Sequence, residues 1–319
     1  MSGAFDRASA FNQDIGGWDV SKLTDVDGVF YEASSFNADI GAWDVSKVTS
    51  MGEMFWGATA FDAPIGDWDV SAVTNPQWMF YDAAAFNQPI GDWDVSKVAG
   101  MQQTFDKAAA FNADIGAWDT SKAIGAWDVS KVTSMSNAFN RASAFDADIG
   151  AWDTSKVTSM GSTFESASAF NAPIGDWGVS SVTYMQWMFY EASAFDADIG
   201  AWDVSKVASM QQTFDKAAAF NADIGAWDTS KAIGAWDVSK VTTMYATFSY
   251  ADAFDQDIGD WDVSKVTNMR AFSYADAFDQ DIGPGSVSSV TNMVYAFYDS
   301  GLQSCPSWAD ESAVCPTAD

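Results

Sequence analysis

The chain contains no histidine, and that absence removes the usual general base of enzyme sites and the commonest ligand for transition metals. Basic residues are scarce as well: 15 Lys and Arg against 44 Asp and Glu leave a formal charge of -29 at pH 7. Such a chain repels nucleic-acid phosphates and anionic membrane surfaces, and it favours cationic partners, divalent metal or a saline medium. No apolar run reaches the roughly 18 residues a membrane-spanning helix needs, so no membrane insertion is expected. The N-terminus has neither the charged nor the apolar region of a signal peptide. Met1 precedes Trp18 by 17 residues, just as Met51 precedes Trp68, so the chain is read as a fragment or as one with a misplaced start codon.

What is present is one motif, many times over. Ile40-Gly41-Ala42-Trp43-Asp44-Val45-Ser46-Lys47-Val48-Thr49 returns in near-copies, with its tryptophan at 18, 43, 68, 93, 118, 127, 152, 177, 202, 227, 236 and 261. Every interval is 25 residues except two of 9, at 118–127 and 227–236. A period in that range marks a solenoid, in which each repeat buries its apolar face only against its neighbours. Residues 101–133 are identical to residues 210–242, so a block carrying its own short interval was duplicated. We therefore expect a single repeat domain over residues 1–301, with either a looped-out copy or a kink at each short interval. Residues 302–319 are read as a C-terminal cap stapled by a Cys305–Cys315 disulfide, which suggests an oxidising compartment. No matching cap precedes Phe5, which leaves the N-terminal edge open to end-to-end contact.

Within a repeat, Trp43-Asp44-Val45-Ser46 alternates apolar and polar and predicts a short strand with Trp43 and Val45 inward. Val48, Met51, Met54, Phe55 and Ala58 then recur at three and four residues, which predicts an amphipathic helix of about two turns, capped by Thr49 or Ser50. The expected class is α/β: a right-handed, leucine-rich-repeat-like solenoid with one short parallel strand and one short helix per coil. The motif tryptophans are expected to form an internal stack.

The order Met-Phe-x-x-Ala-x-x-Phe-Asn-x-x-Ile-x-x-Trp-Asp-Val-Ser-x-Val-Thr-x-Met, with full copies at 54–79 and 188–210, resembles the BspA-like surface-protein repeat. The resemblance covers nearly all of residues 1–300. It implies a secreted or surface-anchored repeat protein, and it carries over no catalytic residue and no ligand. Pro76, where methionine is usual, and Gly178, where aspartate follows the tryptophan, depart from the pattern.

The most suggestive candidate site is the ladder Asp19, Asp44, Asp69, Asp94, Asp119, Asp128, Asp153, Asp203, Asp228, Asp237 and Asp262, each after a motif tryptophan. On strands about 4.8 Å apart, neighbouring carboxylates repel by roughly 0.9 kcal/mol in water. Lysines three positions on, such as Lys47 and Lys97, offset part of that. The ladder reads as a solvated face, as a row of calcium bridges, or as a docking face for a basic partner. Asn12, Asn37, Asp62, Asn87 and Asn112 form a second line, read as structural. The motif glycines Gly16 to Gly259 are read as needing positive φ or as making space beside the tryptophan. Tyr31, Trp56, Trp78, Tyr81, Trp187 and Tyr190 fall outside the motif and mark helix packing or a lateral or sugar-binding contact.

These readings converge on a non-catalytic extracellular or cell-surface module for adhesion or protein recognition, with a protein or glycan of a cell surface or matrix as partner. The alternative is a calcium-binding structural element of an extracellular layer, and a carbohydrate-active enzyme is a distant third.

Overall fold

The computed structural model describes residues 1–115, 127–224, 236–280, 282, 287–304, 306 and 309. They fall into two compact units, Met1–Val157 and Thr158–Asp319. Cys305 and Cys315 lie outside the described residues, as do Trp118, Asp119, Trp227 and Asp228.

In each unit successive repeats stack as coils, but the expected α/β class is wrong. Among the described residues there is no helix, and the only extended pairing is a set of isolated parallel bridges. In Met1–Val157 these join Asp25 to Ser50, Ser50 to Asn75 and Gly100 to Ser134. In Thr158–Asp319 they join Ser159 to Tyr184, and then run from Ser209 through Thr243 and Asn268 to Asn292.

The segment expected to be helical is a run of overlapping turns. Its amides alternate: those of Met54, Trp56 and Ala58 donate three residues back, to Met51, Glu53 and Phe55, at 3.0–3.3 Å. Those of Met51, Glu53, Phe55 and Gly57 donate instead to the next coil, to Asn75, Gln77, Met79 and Tyr81, at 2.7–3.0 Å. Thr158–Asp319 repeats this, with Met160, Ser162 and Phe164 donating to Tyr184, Gln186 and Met188. A two-turn helix would leave its terminal amides open and is marginal alone. The turn ribbon commits half of its amides to cross-linking coils. It requires two left-handed residues per coil, such as Glu53 at φ 56° and Gly57 at φ 65°, which no α-helix tolerates. The burial pattern is nevertheless the one expected, with Val48, Met51, Met54, Phe55 and Ala58 all buried.

The expected strand fails for a related reason. Trp43 and Val45 do face inward and Asp44 outward. Their neighbours' amides, however, are used locally: Trp43 donates to Ile40, Val48 to Val45, and Ser46 to the Asp44 carboxylate. With no amide turned sideways, no ladder forms until Thr49 and Ser50. There the Thr49 amide and hydroxyl both donate to the Thr24 carbonyl, at 2.9 and 3.1 Å.

The core of each unit is aromatic. Phe30 and Phe36 stack at 3.8 Å within one coil, and each continues into a ladder, through Phe55, Phe80, Phe105 and Phe139 and through Phe61, Phe86, Phe111 and Phe145. Thr158–Asp319 builds the same two ladders from Phe164 and Phe170. The described motif tryptophans are buried, apart from Trp18, which is 48% exposed although its ring lies 5.8 Å from that of Phe5, as Trp43 lies 6.0 Å from Phe30. Most of the buried indoles find a partner in an earlier coil, as when Trp68 donates to Ile40 O at 3.2 Å and Trp202 to Ile174 O at 3.1 Å, whereas the Trp261 Nε1 is buried without one.

The motif glycines need neither positive φ nor room for an indole. A Cβ on Gly66 or Gly91 would meet the carbonyl oxygen of Pro89 or Asp114 in the next coil at 2.3 Å. Close approach of successive backbones is what selects glycine there.

At the short intervals the described residues keep their register. The Trp127 amide donates to Ile115 O, as Trp68 does to Ile65, and the Trp127 indole reaches Ile90 O. Trp127 therefore fills the core slot after Ile115, and Trp236 does the same after Ile224. Pro76 leaves a different mark. It has no amide to donate to the next coil, and the bridge row that reaches Asn75 resumes only at Gly100–Ser134. A small apolar void of about 30 Å³ lies beside it, bounded by Met51, Met79, Trp93 and Met101.

Candidate binding face

Two exposed faces result from this coil. The first carries the aspartate ladder. Asp19, Asp44, Asp69, Asp94, Asp128 and Asp153 in Met1–Val157, and Asp203, Asp237 and Asp262 in Thr158–Asp319, are all exposed and share one role. Each offers Oδ1 to the amide of the serine two residues on, at 3.0–3.1 Å. The Ser21 and Ser46 hydroxyls donate to the same oxygens at 2.6 Å. Hydrogen bonds from Ser46, first its hydroxyl and then its amide, hold the Asp44 carboxyl below its ordinary pKa, and Lys47 adds to the effect. Asp69 and Asp94 are held down in the same way by Ser71 and Ser96, with partial burial and repulsion from the preceding ladder residue, Asp44 and Asp69 respectively, opposing and Lys97 assisting. The lysines do offset the ladder's repulsion. One oxygen of each aspartate thus closes a turn, and among the described residues no three acidic, cysteine or histidine groups converge as a metal site would require.

The second line is also structural, but it acts between coils rather than within a turn. Asn12, Asn37, Asp62 and Asn87 each accept, through Oδ1, the amide of the equivalent residue one coil on, at 2.8–2.9 Å. Asn171, Asp196 and Asn221 do so in Thr158–Asp319.

The other face is the outside of the turn ribbon, and here the copies differ. Counting from the methionine slot of each coil, the second and sixth positions take left-handed φ, and the first and fifth lie beside them. Successive coils place Gly28, Glu53, Trp78 and Gln103 at the second position and Glu32, Gly57, Asp82 and Lys107 at the sixth. Among the described residues, 20 non-glycine residues hold positive φ against three glycines. Glycine would relieve about 1 kcal/mol of strain at each. Large side chains sit there regardless, including Arg7, Trp78, Arg141, Trp187, Lys216, Tyr250 and Tyr295.

Aromatics on this face form a column in Met1–Val157: Tyr31 stacks on Trp56 at 5.5 Å, and Trp56 on Tyr81 at 3.8 Å. Its two ends are closed by cations, Arg7 5.7 Å from the Tyr31 centroid and Lys107 4.6 Å from that of Tyr81. In Thr158–Asp319, Lys216 covers Tyr190 at 4.9 Å and pairs with Glu191 at 2.6 Å, and Arg270 sits 5.7 Å from both Tyr245 and Tyr295. Burial, partly countered by the Gln212 hydrogen bond and by Lys216, pushes the Asp215 carboxyl up to about 6, and its Oδ1 has no partner. Near the first coils lies an open trench of roughly 440 Å³, walled by Tyr31 and Trp78 and lined by Asp6, Arg7, Asp27, Glu53 and Asn75. The sequence singled out Tyr31, Trp56, Trp78 and Tyr81 but not Asp27, Glu53 or Arg7. The available signal was variation among copies that are otherwise near-identical.

The chain belongs to the family described as Mycoplasma protein of unknown function, DUF285, which it matches over residues 1–118, 117–227 and 228–308. It is thus a protein of tandem repeats. No curated protein and no solved structure matches it. Among the described residues no helix is long and apolar enough to cross a membrane.

Proposed function

We propose that the chain is a non-catalytic recognition scaffold of the BspA-like kind, working at a cell surface or matrix against a protein or glycan partner. The observation that carries this reading is the division of labour within the repeat. Buried positions and both Asp/Asn lines recur from coil to coil, while the strained positions on the turn ribbon change side chain at almost every copy. A repeat serving stability alone has no reason to hold Trp78, Lys107 or Tyr250 in left-handed conformations that glycine adopts freely. Repeat proteins commonly bind through such an extended surface displayed on a constant framework.

The test replaces second-position side chains with serine, the residue already found there as Ser162. The variant combining Glu53→Ser, Trp78→Ser, Gln103→Ser, Trp187→Ser and Gln212→Ser is compared with wild type on an array of extracellular-matrix proteins and surface glycans. Loss of the wild-type signals with folding retained supports the reading. Undiminished binding by the variant refutes it.

A further inference from the structure

We infer that the trench over the first coils of Met1–Val157 takes a guanidinium or ammonium group, presented by a basic side chain of a partner protein. The inference rests on the recognition reading above and names the chemistry of the partner.

Three observations carry it. The first is the trench's composition: two aromatic walls, Tyr31 and Trp78, with carboxylates from Asp6, Asp27 and Glu53. Its one cation, Arg7, is drawn to Glu32 at 3.2 Å and to Asp6 at 3.9 Å, which leaves Glu53 and Asp27 without a cation, the latter's carboxylate accepting only the Gly52 amide at 2.7 Å. A cation between an aromatic face and carboxylates gains from both the ring quadrupole and the charge.

The second is what the chain does with its own cations on this face. Arg7, Lys107, Lys216 and Arg270 each lie over a tyrosine ring of the turn ribbon. Among the described residues no such cation lies over Trp78. Its indole is nonetheless fixed in place, donating to Gln103 Oε1, while Gln103 Nε2 donates to Asp106 at 3.2 Å. A ring held this way loses little freedom when a ligand arrives.

The third is an internal control. In Thr158–Asp319 the same pair of coils places Trp187, bonded to Gln212 at 2.9 Å, one coil after Gly161. There Ser162 stands where Glu53 stands, and Tyr184 stands where Asn75 stands. The Tyr184 ring lies in the space beside Gly161, within 2.0 Å of where a Cβ would be. At Gly52 the corresponding neighbour is only the Asn75 amide, at 3.0 Å, which donates to the Ser50 hydroxyl. In one copy a tyrosine ring fills the space and serine replaces the glutamate, and in the other the space is open and Glu53 lines it.

The experiment titrates the whole chain with a blocked tetra-arginine peptide, with the tetra-citrulline peptide as the uncharged isostere, by calorimetry. Wild type is expected to bind tetra-arginine, and tetra-citrulline at least tenfold more weakly. Asn75→Tyr, which keeps the charge and copies the plugged site, is expected to weaken binding at least tenfold, and Glu53→Gln at least threefold. Asp44→Asn combined with Asp69→Asn removes more charge from the other face and should change affinity less than twofold. If Asn75→Tyr disturbs folding, judged by its melt, the Glu53→Gln and Asp44/Asp69 pair decides alone. Equal losses in all variants would reduce the effect to the chain's overall charge and overturn the inference. So would absence of tetra-arginine binding, or equal binding of tetra-citrulline. If the array signals still depend on the turn-ribbon side chains, the recognition reading then stands and only its cationic occupant falls.

Discussion

Replacing Trp93 by alanine tests whether the stacked indoles hold the coils together. Trp93 is 7% exposed, its ring lies parallel to that of Trp127 at 6.5 Å, and it sits 6.4 Å from Phe80. Its indole donates to Ile65 O at 3.2 Å. Burial of about 200 Å² of aromatic side chain at about 25 cal/mol per Å² gives roughly 5 kcal/mol as an upper bound. Measured truncations of buried aromatics span about 3 to 5 kcal/mol, and the orphaned Ile65 carbonyl adds about 1 kcal/mol. We therefore expect Trp93→Ala to cost about 4 kcal/mol.

Urea unfolding followed by far-ultraviolet ellipticity reads this directly. With a slope of about 2 to 3 kcal/mol per molar urea, the transition should move down by about 1.5 M. Trp93→Phe keeps a ring in the stack and loses the N–H bond, so about 1 to 2 kcal/mol is expected. Trp18→Ala is the control from the same motif, and at 48% exposure it should cost less than about 1 kcal/mol in this chain. A midpoint for Trp93→Ala no lower than that of Trp18→Ala would refute the assignment of the indoles to the core.

Pro76→Met should stabilise by about 1 kcal/mol in the same assay, because it fills the void of about 30 Å³ and restores an amide between coils, less the chain entropy that proline saves. Gly91→Ala should destabilise by about 2 kcal/mol or more, since its Cβ would meet backbone at 2.3 Å, whereas Gly17→Ala, with nothing within 4 Å, should be neutral or slightly stabilising; equal melting points would contradict the close-approach account. Asp215 has a folded pKa of about 6 against an unfolded 3.8, so its favourable contribution is complete below 3.8 and is lost as pH rises through 6. Asp215→Asn should accordingly stabilise by up to about 3 kcal/mol at pH 8 and by nothing below pH 4, and a gain independent of pH would refute the burial argument. The ladder aspartates run the other way: their depressed pKa values stabilise above 3.8, and that is lost as pH falls below it. Finally, calcium and sodium chloride at matched ionic strength should raise the melting temperature equally, because each ladder aspartate already commits an oxygen to a serine; a saturable, calcium-specific rise would make the ladder a metal site.

Much of the interior was legible because spacing determines which side of the chain a residue occupies. Trp43, Val45, Val48, Met51, Met54 and Phe55 are all buried as their intervals imply. Spacing does not determine hydrogen bonding. Intervals of three and four fit a helix, and they fit equally a chain of turns whose alternate amides leave the segment. The distinguishing signal was weak: Gly28 and Gly57 mark left-handed positions, but Glu53, Trp78 and Asp82 occupy the same positions in other coils and hide it. The aspartate ladder was placed outward correctly, yet its bond to the following serine was missed because Asp44 and Ser46 were assigned to a strand, where residues two apart share a face but stand roughly 6.6 Å from each other, too far to bond. The trench was out of reach because Asp27, Glu53 and Trp78 share it only when three coils are in register.

The turn ribbon also explains how one framework can hold unlike side chains. In a helix or strand, a residue's identity alters the propensity of the element that carries it. Here the backbone at the second and sixth positions is fixed by bonds made by its neighbours and by the next coil, as when Glu53 N donates to Gln77 O and Trp56 N returns to Glu53 O. The left-handed strain is therefore nearly the same for Glu53, Trp78, Gln103 or Ser162, whose φ values lie within 54–59°. Changing one of these side chains for another leaves that strain and the intercoil bonds in place, so the outer face can diversify while the core and the two Asp/Asn lines stay constant. A column that tolerates tryptophan, glutamate and serine at equal backbone cost is free to be shaped by what it contacts, and the acidic trench beside Trp78 is the place where that freedom has left a cavity rather than a plug.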